Sequence, residues 1–268
     1  MKTLLTSLAV LASLAPAWAQ SARPERRHEL TAGGGPMGRT MLDRQASPLA
    51  YRAKGPAFGL SYAHRTSHAR PSLELQALLG HDLPRRYGVR RFNNGQGTYT
   101  LQSAYYGADV RLRYLRRLPA PAPEKLHLFV GAGLQNSLQI SDAVANLYWG
   151  MNVAGLYAAG RAEYEAAPRQ HFTAELALPV GAAVTRHTYA NYPKSTDEGN
   201  LAAFFSQGTH WALPNRLQQV QASLGYQYTL FDRLSVGLRY QFQWLRYPAP
   251  QPIRSYDQRV AGQLGFQF

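Results

Sequence analysis

The chain has no cysteine, which excludes disulfide staples, thiolate metal sites and cysteine nucleophiles. It also lacks any stretch near the roughly 20 apolar residues that a membrane helix needs. The mainly apolar run from Leu4 to Leu14 is too short to span a bilayer. Acidic residues are scarce, with 15 Asp and Glu against 29 Lys and Arg and a formal net charge of +14. A protein built this way holds together by strand pairing and packing, and enters a membrane, if it does, as a barrel of strands.

What is present begins with an export signal. Met1-Lys2 is a positive start, Leu4 to Leu14 an apolar middle, and Ala17-Trp18-Ala19 a small-x-small cleavage site. These features predict a secretory leader over 1–19, cleavage after Ala19, and a single barrel domain over 20–268. Residue 20 is Gln, so the new amino terminus takes no lipid anchor. Removing the leader takes away one lysine, leaving 28 − 15 = +13, mostly arginine. The arginines are scattered over strands and connections of an exported chain instead of lining one helix, which argues against nucleic acid. Anionic lipid headgroups and lipopolysaccharide phosphates are the more natural counter-charge.

Period-2 alternation between turn signals predicts ten strands, at 27–35, 56–65, 71–80, 99–115, 126–137, 146–164, 171–184, 217–230, 234–246 and 258–268. In the eighth, Val220, Ala222, Leu224, Tyr226, Tyr228 and Leu230 oppose Gln219, Gln221, Ser223, Gly225, Gln227 and Thr229. The polar faces carry Gln, Ser, Gly and isolated Arg, as crowded small barrel interiors do, not the Lys and Glu of a solvent face. The connections 36–55, 81–98, 138–145, 185–216 and 247–257 are longer than 66–70, 116–125, 165–170 and 231–233, an alternation expected of outer-membrane barrels. The sixth strand mixes parities, so a bulge near Val153 to Gly155 is expected, the alternative being a helix over 143–159. Pro179 predicts a bulge or a strand end.

Parity places Glu29, Glu74, Asp109, Glu163 and Glu175 inside, with Arg111, Arg113, Arg161, Arg239 and Arg259. Turn pairing sets Glu74 near Arg111 or Arg113, and Glu175 near Arg161. Such pairs either neutralise one another in a narrow lumen or form a charged constriction in a small channel. Tyr62, Tyr114, Tyr226 and Tyr228 are expected at one rim of the membrane band, and Tyr106, Trp149, Phe242 and Trp244 at the other. Arg85, Arg86, Arg90 and Arg91, around Tyr87 and Phe92, would clamp lipopolysaccharide phosphates or simply be solvated.

For catalysis, omptin proteases carry paired carboxylates and an Asp-x-His arrangement, and this chain offers only His81-Asp82, Asp197-Glu198, His187 and His210, without that spacing. A hydrolytic set of Ser206, His210 and Asp197 has nothing to fix its geometry. The eight histidines show no paired spacing on one face, so neither a metal site nor a cofactor is expected.

The leader, the alternation and the terminal "VAGQLGFQF" together resemble the porin-like outer-membrane β-barrel families of Gram-negative bacteria. The resemblance implies an all-β, antiparallel up-and-down transmembrane barrel in the outer membrane. It also implies recognition of the last strand by the barrel-insertion machinery, a role that would fall on Phe266 and Phe268. The function expected is a non-enzymatic integral surface protein embedded in outer-membrane lipid and lipopolysaccharide, supporting envelope structure or contacting an external ligand through loops 36–55 and 185–216. A narrow channel for small solutes is the alternative, and a membrane-embedded hydrolase the lower one.

Overall fold

The computed structural model describes residues 28–85, 90–93, 95, 98–101, 103–119, 125–144, 147–186, 200–231 and 233–268. The leader, its cleavage site and Arg86 lie outside them. The elements are β1 (His28–Asp43), β2 (Ala50–His64), β3 (Ala69–Pro84), β4 (Arg90–Asn93), β5 (Thr98–Leu101), β6 (Ser103–Arg117), β7 (Leu126–Val144), β8 (Leu147–Ala167), β9 (Gln170–Arg186), α1 (Asn200–Gly208), β10 (Thr209–Ala212), β11 (Gln218–Thr229), β12 (Leu234–Tyr247) and β13 (Ile253–Gln267). Ten of them, β1, β2, β3, β6, β7, β8, β9, β11, β12 and β13, pair antiparallel in that order, and β13 pairs back onto β1. The ring therefore has no free edge in the membrane, and every strand offers one face to the lumen and one outward. Backbone bonds between His28 and Phe268, 3.0 Å in both directions, seal the seam at the end where both lie, here called the terminal end.

β10 is an extra strand on the upper half of β9, from Thr209 opposite Thr185 to Ala212 opposite Ala182. β11 takes the lower half, from Gln221 opposite Ala177 to Tyr228 opposite Gln170. Between them the chain makes one turn, with the Arg216 and Leu217 amides donating to the Leu213 carbonyl at 2.9 and 2.8 Å. β4 and β5, between β3 and β6 in the chain, form a separate two-stranded hairpin, and the end of the ring where β3 stops and β6 starts is here called the loop end.

The strands run further toward the loop end than periodicity predicts, so the expected alternation of long and short connections does not hold. At the loop end the strand bounds leave only 44–49, 145–146 and 248–252 as connections, against the longer 85–102 and 187–217. The reason lies in residues that look like breakers but sit inside the wall. Pro36 of β1 faces Pro56 of β2, and the pairings of β1 with β13 and of β2 with β3 skip Gly35-Pro36 and Gly55-Pro56. Proline contributes no ladder donor. The preceding glycines let the neighbouring backbone in: a Cβ on Gly35 would meet the Val260 carbonyl oxygen at 2.1 Å, and one on Gly55 that of Leu79 at 2.0 Å.

Residues 147–167 form a strand, not a helix. The bulge expected near Val153 to Gly155 is not in this strand; the register shifts where Leu156 faces Gly181 and Tyr157 faces Pro179, leaving Val180 of β9 as the extra residue beside the predicted proline. Parity in β8 is continuous, and its apolar residues Trp149, Met151 and Val153 point inward. Trp149, only 4% exposed, is thus not in the outer aromatic girdle. It belongs to a buried cluster in the loop-end lumen with Met41, Tyr51, Leu217, Leu245, Tyr247 and Ile253. Each such side chain contributes roughly 1.5–3 kcal/mol of burial. The outward faces carry Phe58, Leu60, Leu112, Leu134, Leu176, Leu224, Leu238 and Leu264, all exposed, as a surface in contact with hydrocarbon requires.

Candidate functional site: the charged lumen

Below the apolar cluster, and in two tiers against it, the lumen is lined by charge. Inward positions of β1, β3, β6, β8, β9, β12 and β13 bring together all ten charged residues assigned by parity, Glu29, Glu74, Asp109, Arg111, Arg113, Arg161, Glu163, Glu175, Arg239 and Arg259. The register sets Glu74 opposite Arg111, and Glu175 opposite Arg161.

The tier nearest the terminal end joins Arg70 to Glu29 at 3.0 Å and to Glu163 at 2.7 Å, with Arg65 3.4 Å from Glu29. Arg161 links upward, 2.7 Å from Glu163 and 3.3 Å from Glu175. In the middle tier Arg113 binds Glu175, and Glu74 receives Arg239 at 2.7 Å and Arg111 at 3.5 Å. Above it Arg259 donates to Asp109 at 2.8 Å and also to Gln76, Arg111 reaches Asp109 at 3.2 Å, and Ser137 donates to the same carboxylate at 2.6 Å. Next Arg39 lies 3.4 Å from Asp257 and stacks over Tyr105 and Trp149 at 5.2 and 5.0 Å. At the top, Arg186 donates to Asp43 at 2.6 Å and to the carbonyls of Ala249 and Gln251 at 2.5 and 2.7 Å. The Trp149 indole donates to the other Asp43 oxygen at 2.8 Å.

Many of these pairs cross the lumen. Arg239 on β12 meets Glu74 on β3, Arg259 on β13 meets Asp109 on β6, and Arg186 on β9 meets Asp43 on β1, each with three strands between them along one wall. Charges held this way in a low-dielectric interior need their partners, because an unpaired one costs several kcal/mol. Among the described residues the lumen holds nine inward arginines (39, 65, 70, 111, 113, 161, 186, 239, 259) and eight carboxylates (29, 43, 74, 82, 109, 163, 175, 257). Among the described residues, cavities of about 20, 30 and 70 Å³ lie between the tiers, and Arg239 lines each of these three. The smallest has room for about one water and the largest for a few.

Sequence reasoning missed Arg39, Asp43, Arg70, Asp82, Arg186 and Asp257, since it read their segments as loops or turns, and Arg65, which it read as the last residue of a strand but which lies just past the end of β2. The available signal was the continued alternation of Met37, Arg39, Met41 and Asp43 past Pro36, and of Ile253, Ser255 and Asp257 before the last strand.

The remaining candidates are dispersed. Arg85 is exposed after β3, its amide donating to the Ala50 carbonyl at 2.7 Å, and Arg90 and Arg91 sit on β4 opposite Leu101 and Thr100. His81 on β3 and His210 on β10 are exposed on opposite sides of the ring, while His187, Asp197 and Glu198 lie outside the described residues. Among the described residues no group of three His, Asp or Glu could hold a metal ion. Phe266 and Phe268 point outward at the terminal end, their rings stacked 5.9 Å apart, with Phe268 also 5.4 Å from His28.

No protein-family model and no curated protein matches this chain. Its structure is similar to the outer membrane protease OmpT from Escherichia coli, with a TM-score of 0.57 over 93% of this chain and 99% of that one, at 8% identity. The fold is that of an outer-membrane β-barrel. Weaker likenesses include the transport unit of the autotransporter AIDA-I from Escherichia coli, TM-score 0.45 at 10% identity over 100% of this chain and 97% of that one. Neisserial surface protein A scores 0.41 at 7% identity, over 90% and 97%. At such identities the likeness concerns the fold, and function has to be argued from the sites.

Proposed function

We propose that this protein is a non-enzymatic integral outer-membrane barrel that acts through its loop-end surface, in the structure of the envelope or in contact with an external partner. The observation that supports the reading is the set of guanidinium–carboxylate pairs at Glu74, Asp109 and Asp43, which cross the lumen a solute would have to traverse. The surface to be presented is the loop end of the ring, with α1 and β10 among its described elements. The non-enzymatic side of the reading is supported by the separate placement of His81 and His210, since acid–base or nucleophilic chemistry needs its groups within hydrogen-bond reach. Reconstitution of the mature protein into planar bilayers tests the proposal: no steady single-channel steps are expected, and steps of constant amplitude would overturn it. Turnover in a peptidase and lipase screen in detergent, lost on His210→Ala or His81→Ala, would overturn the non-enzymatic part.

A second reading, a narrow solute channel, is favoured by one observation. Arg239 borders all three lumen cavities, so its swing away from Glu74 would join them. Under this reading Arg239→Ala raises conductance above that of the wild type.

A further inference from the structure

The outer face of β12 and β13 ends, toward the loop end, in an arrangement that the barrel itself does not explain. From Leu234 to Trp244 the outward residues of β12 are apolar or aromatic, Leu234, Val236, Leu238, Tyr240, Phe242 and Trp244. Ten residue steps make about 33 Å of strand at ~3.3 Å per residue. At a tilt of ~40° they rise about 25 Å along the barrel axis, the height of the apolar band of such barrels. Trp244 faces Tyr256 across the ladder, an aromatic pair at the upper boundary of that band. The next outward pair above it is Arg246 opposite Arg254, both exposed.

Two arginines directly opposite on one face of an antiparallel ladder have Cβ atoms about 5 Å apart and repel each other. Two strands along, the outward positions Arg52 and Lys54 of β2 lie at the same level, since Thr40 of β1 pairs with Arg52 while its neighbour Leu42 pairs with Arg254. Among the described residues none of these four cations forms an ion pair, in contrast to the inward arginines, which are matched to carboxylates. A like-charged row at the edge of the hydrocarbon band is stable where an anion lies between its members, and guanidinium forks match phosphate oxygens two at a time.

We infer that Arg246 and Arg254, supported by Arg52 and Lys54, hold the headgroup phosphate of a phosphorylated lipid in the leaflet at the loop end. The acyl chains then lie below, over Trp244, Tyr256, Phe242 and Val260. The inference rests on the reading of the chain as a membrane-spanning barrel that works at its loop-end surface. It places the lipid contact on the wall at β12 and β13, and Arg85, which follows β3, lies three strands further round the ring from β13.

The test uses the mature protein in phosphatidylcholine nanodiscs doped with diphosphoryl lipid A, with retained lipid counted by native mass spectrometry. The wild type should retain lipid A at least tenfold more strongly than Arg246→Gln/Arg254→Gln. A control removing two exposed cations at the terminal end, Arg169→Gln/Arg233→Gln, should match the wild type, and millimolar inorganic phosphate should not displace the lipid. Unfolding midpoints give a second readout, independent of retention. Arg254→Gln should be more stable than wild type in lipid-A-free detergent, where it relieves repulsion, and less stable when lipid A is present. Equal retention by the double variant, equal loss in the control, displacement by inorganic phosphate, or a stability effect of one sign in both media would each overturn the inference. Failure of the wild type to insert into the discs would instead overturn the membrane-barrel reading, so the two failures are distinct.

Discussion

Glu74 is the carboxylate on which the middle of the lumen depends, and Glu74→Ala measures how strongly. Its two oxygens take Arg239 at 2.7 and 3.5 Å, Arg111 at 3.5 Å and Arg113 at 3.9 Å, with the Gln76 amide donating at 2.6 Å and that of Gln241 at 3.3 Å. When Glu74 is removed, Arg111 retains Asp109 and Arg113 retains Glu175, whereas Arg239 has no other described carboxylate in ion-pair reach. The loss is therefore close to that of breaking one buried pair, about 3–5 kcal/mol. Glu74→Gln keeps the shape and some hydrogen bonds and should fall at roughly half of that. Removing both partners in Glu74→Ala/Arg239→Leu leaves no orphan charge and should recover most of the stability, with a coupling energy above about 1.5 kcal/mol. Urea unfolding in detergent micelles, followed by tryptophan fluorescence and by heat-modified gel mobility, gives all four corners of the cycle. A Glu74→Ala protein within about 1 kcal/mol of wild type, or a double variant no better than the sum of the singles, refutes the reasoning, because it would mean that water screens the lumen and the pairs hold nothing.

Further outcomes follow from other tiers. Gly55→Ala, whose Cβ would meet the Leu79 carbonyl oxygen at 2.0 Å, should lower stability by about 1–3 kcal/mol in the same assay, while Gly38→Ala, with nothing within 4 Å, should be near neutral. Trp149→Phe removes the indole donor from Asp43 and should cost about 1–3 kcal/mol, read as a lower unfolding midpoint. Arg186→Lys has a single ammonium in place of a fork that spans Asp43, Ala249 and Gln251, and should speed proteolytic cleavage within 248–252. Deleting Phe268 removes the amide and carbonyl that bond His28, and should reduce the yield of compact, heat-modifiable barrel in refolding trials.

All ten wall strands could be read from period-2 alternation because each has a consistently polar and a consistently apolar face over its lower two thirds. The upper third could not. There the rule that apolar means outward fails, since Met37, Met41, Trp149, Met151 and Ile253 fill the lumen, and the Gly-Pro steps of β1 and β2 imitate turns while lying in the wall. For the charged residues, parity and turn pairing identify who faces inward and who is a ladder neighbour, as for Glu74 with Arg111. They do not identify partners across the ring. That Arg239 meets Glu74 and Arg259 meets Asp109 depends on the barrel's circumference and stagger, which no local pattern encodes.

The pairs across the lumen join segments distant in the chain: Arg239 and Glu74 are 165 residues apart, Arg259 and Asp109 150, and Arg186 and Asp43 143. A sheet of five or six strands would thus expose stranded guanidinium and carboxylate groups to lipid, and could not compensate them by pairing more neighbours. Partial insertion is electrostatically unfinished at every intermediate count of strands, and the compensation arrives only as the last strand meets the first. Assembly of this barrel is for that reason expected to be all-or-none, with the final seam as the committing step.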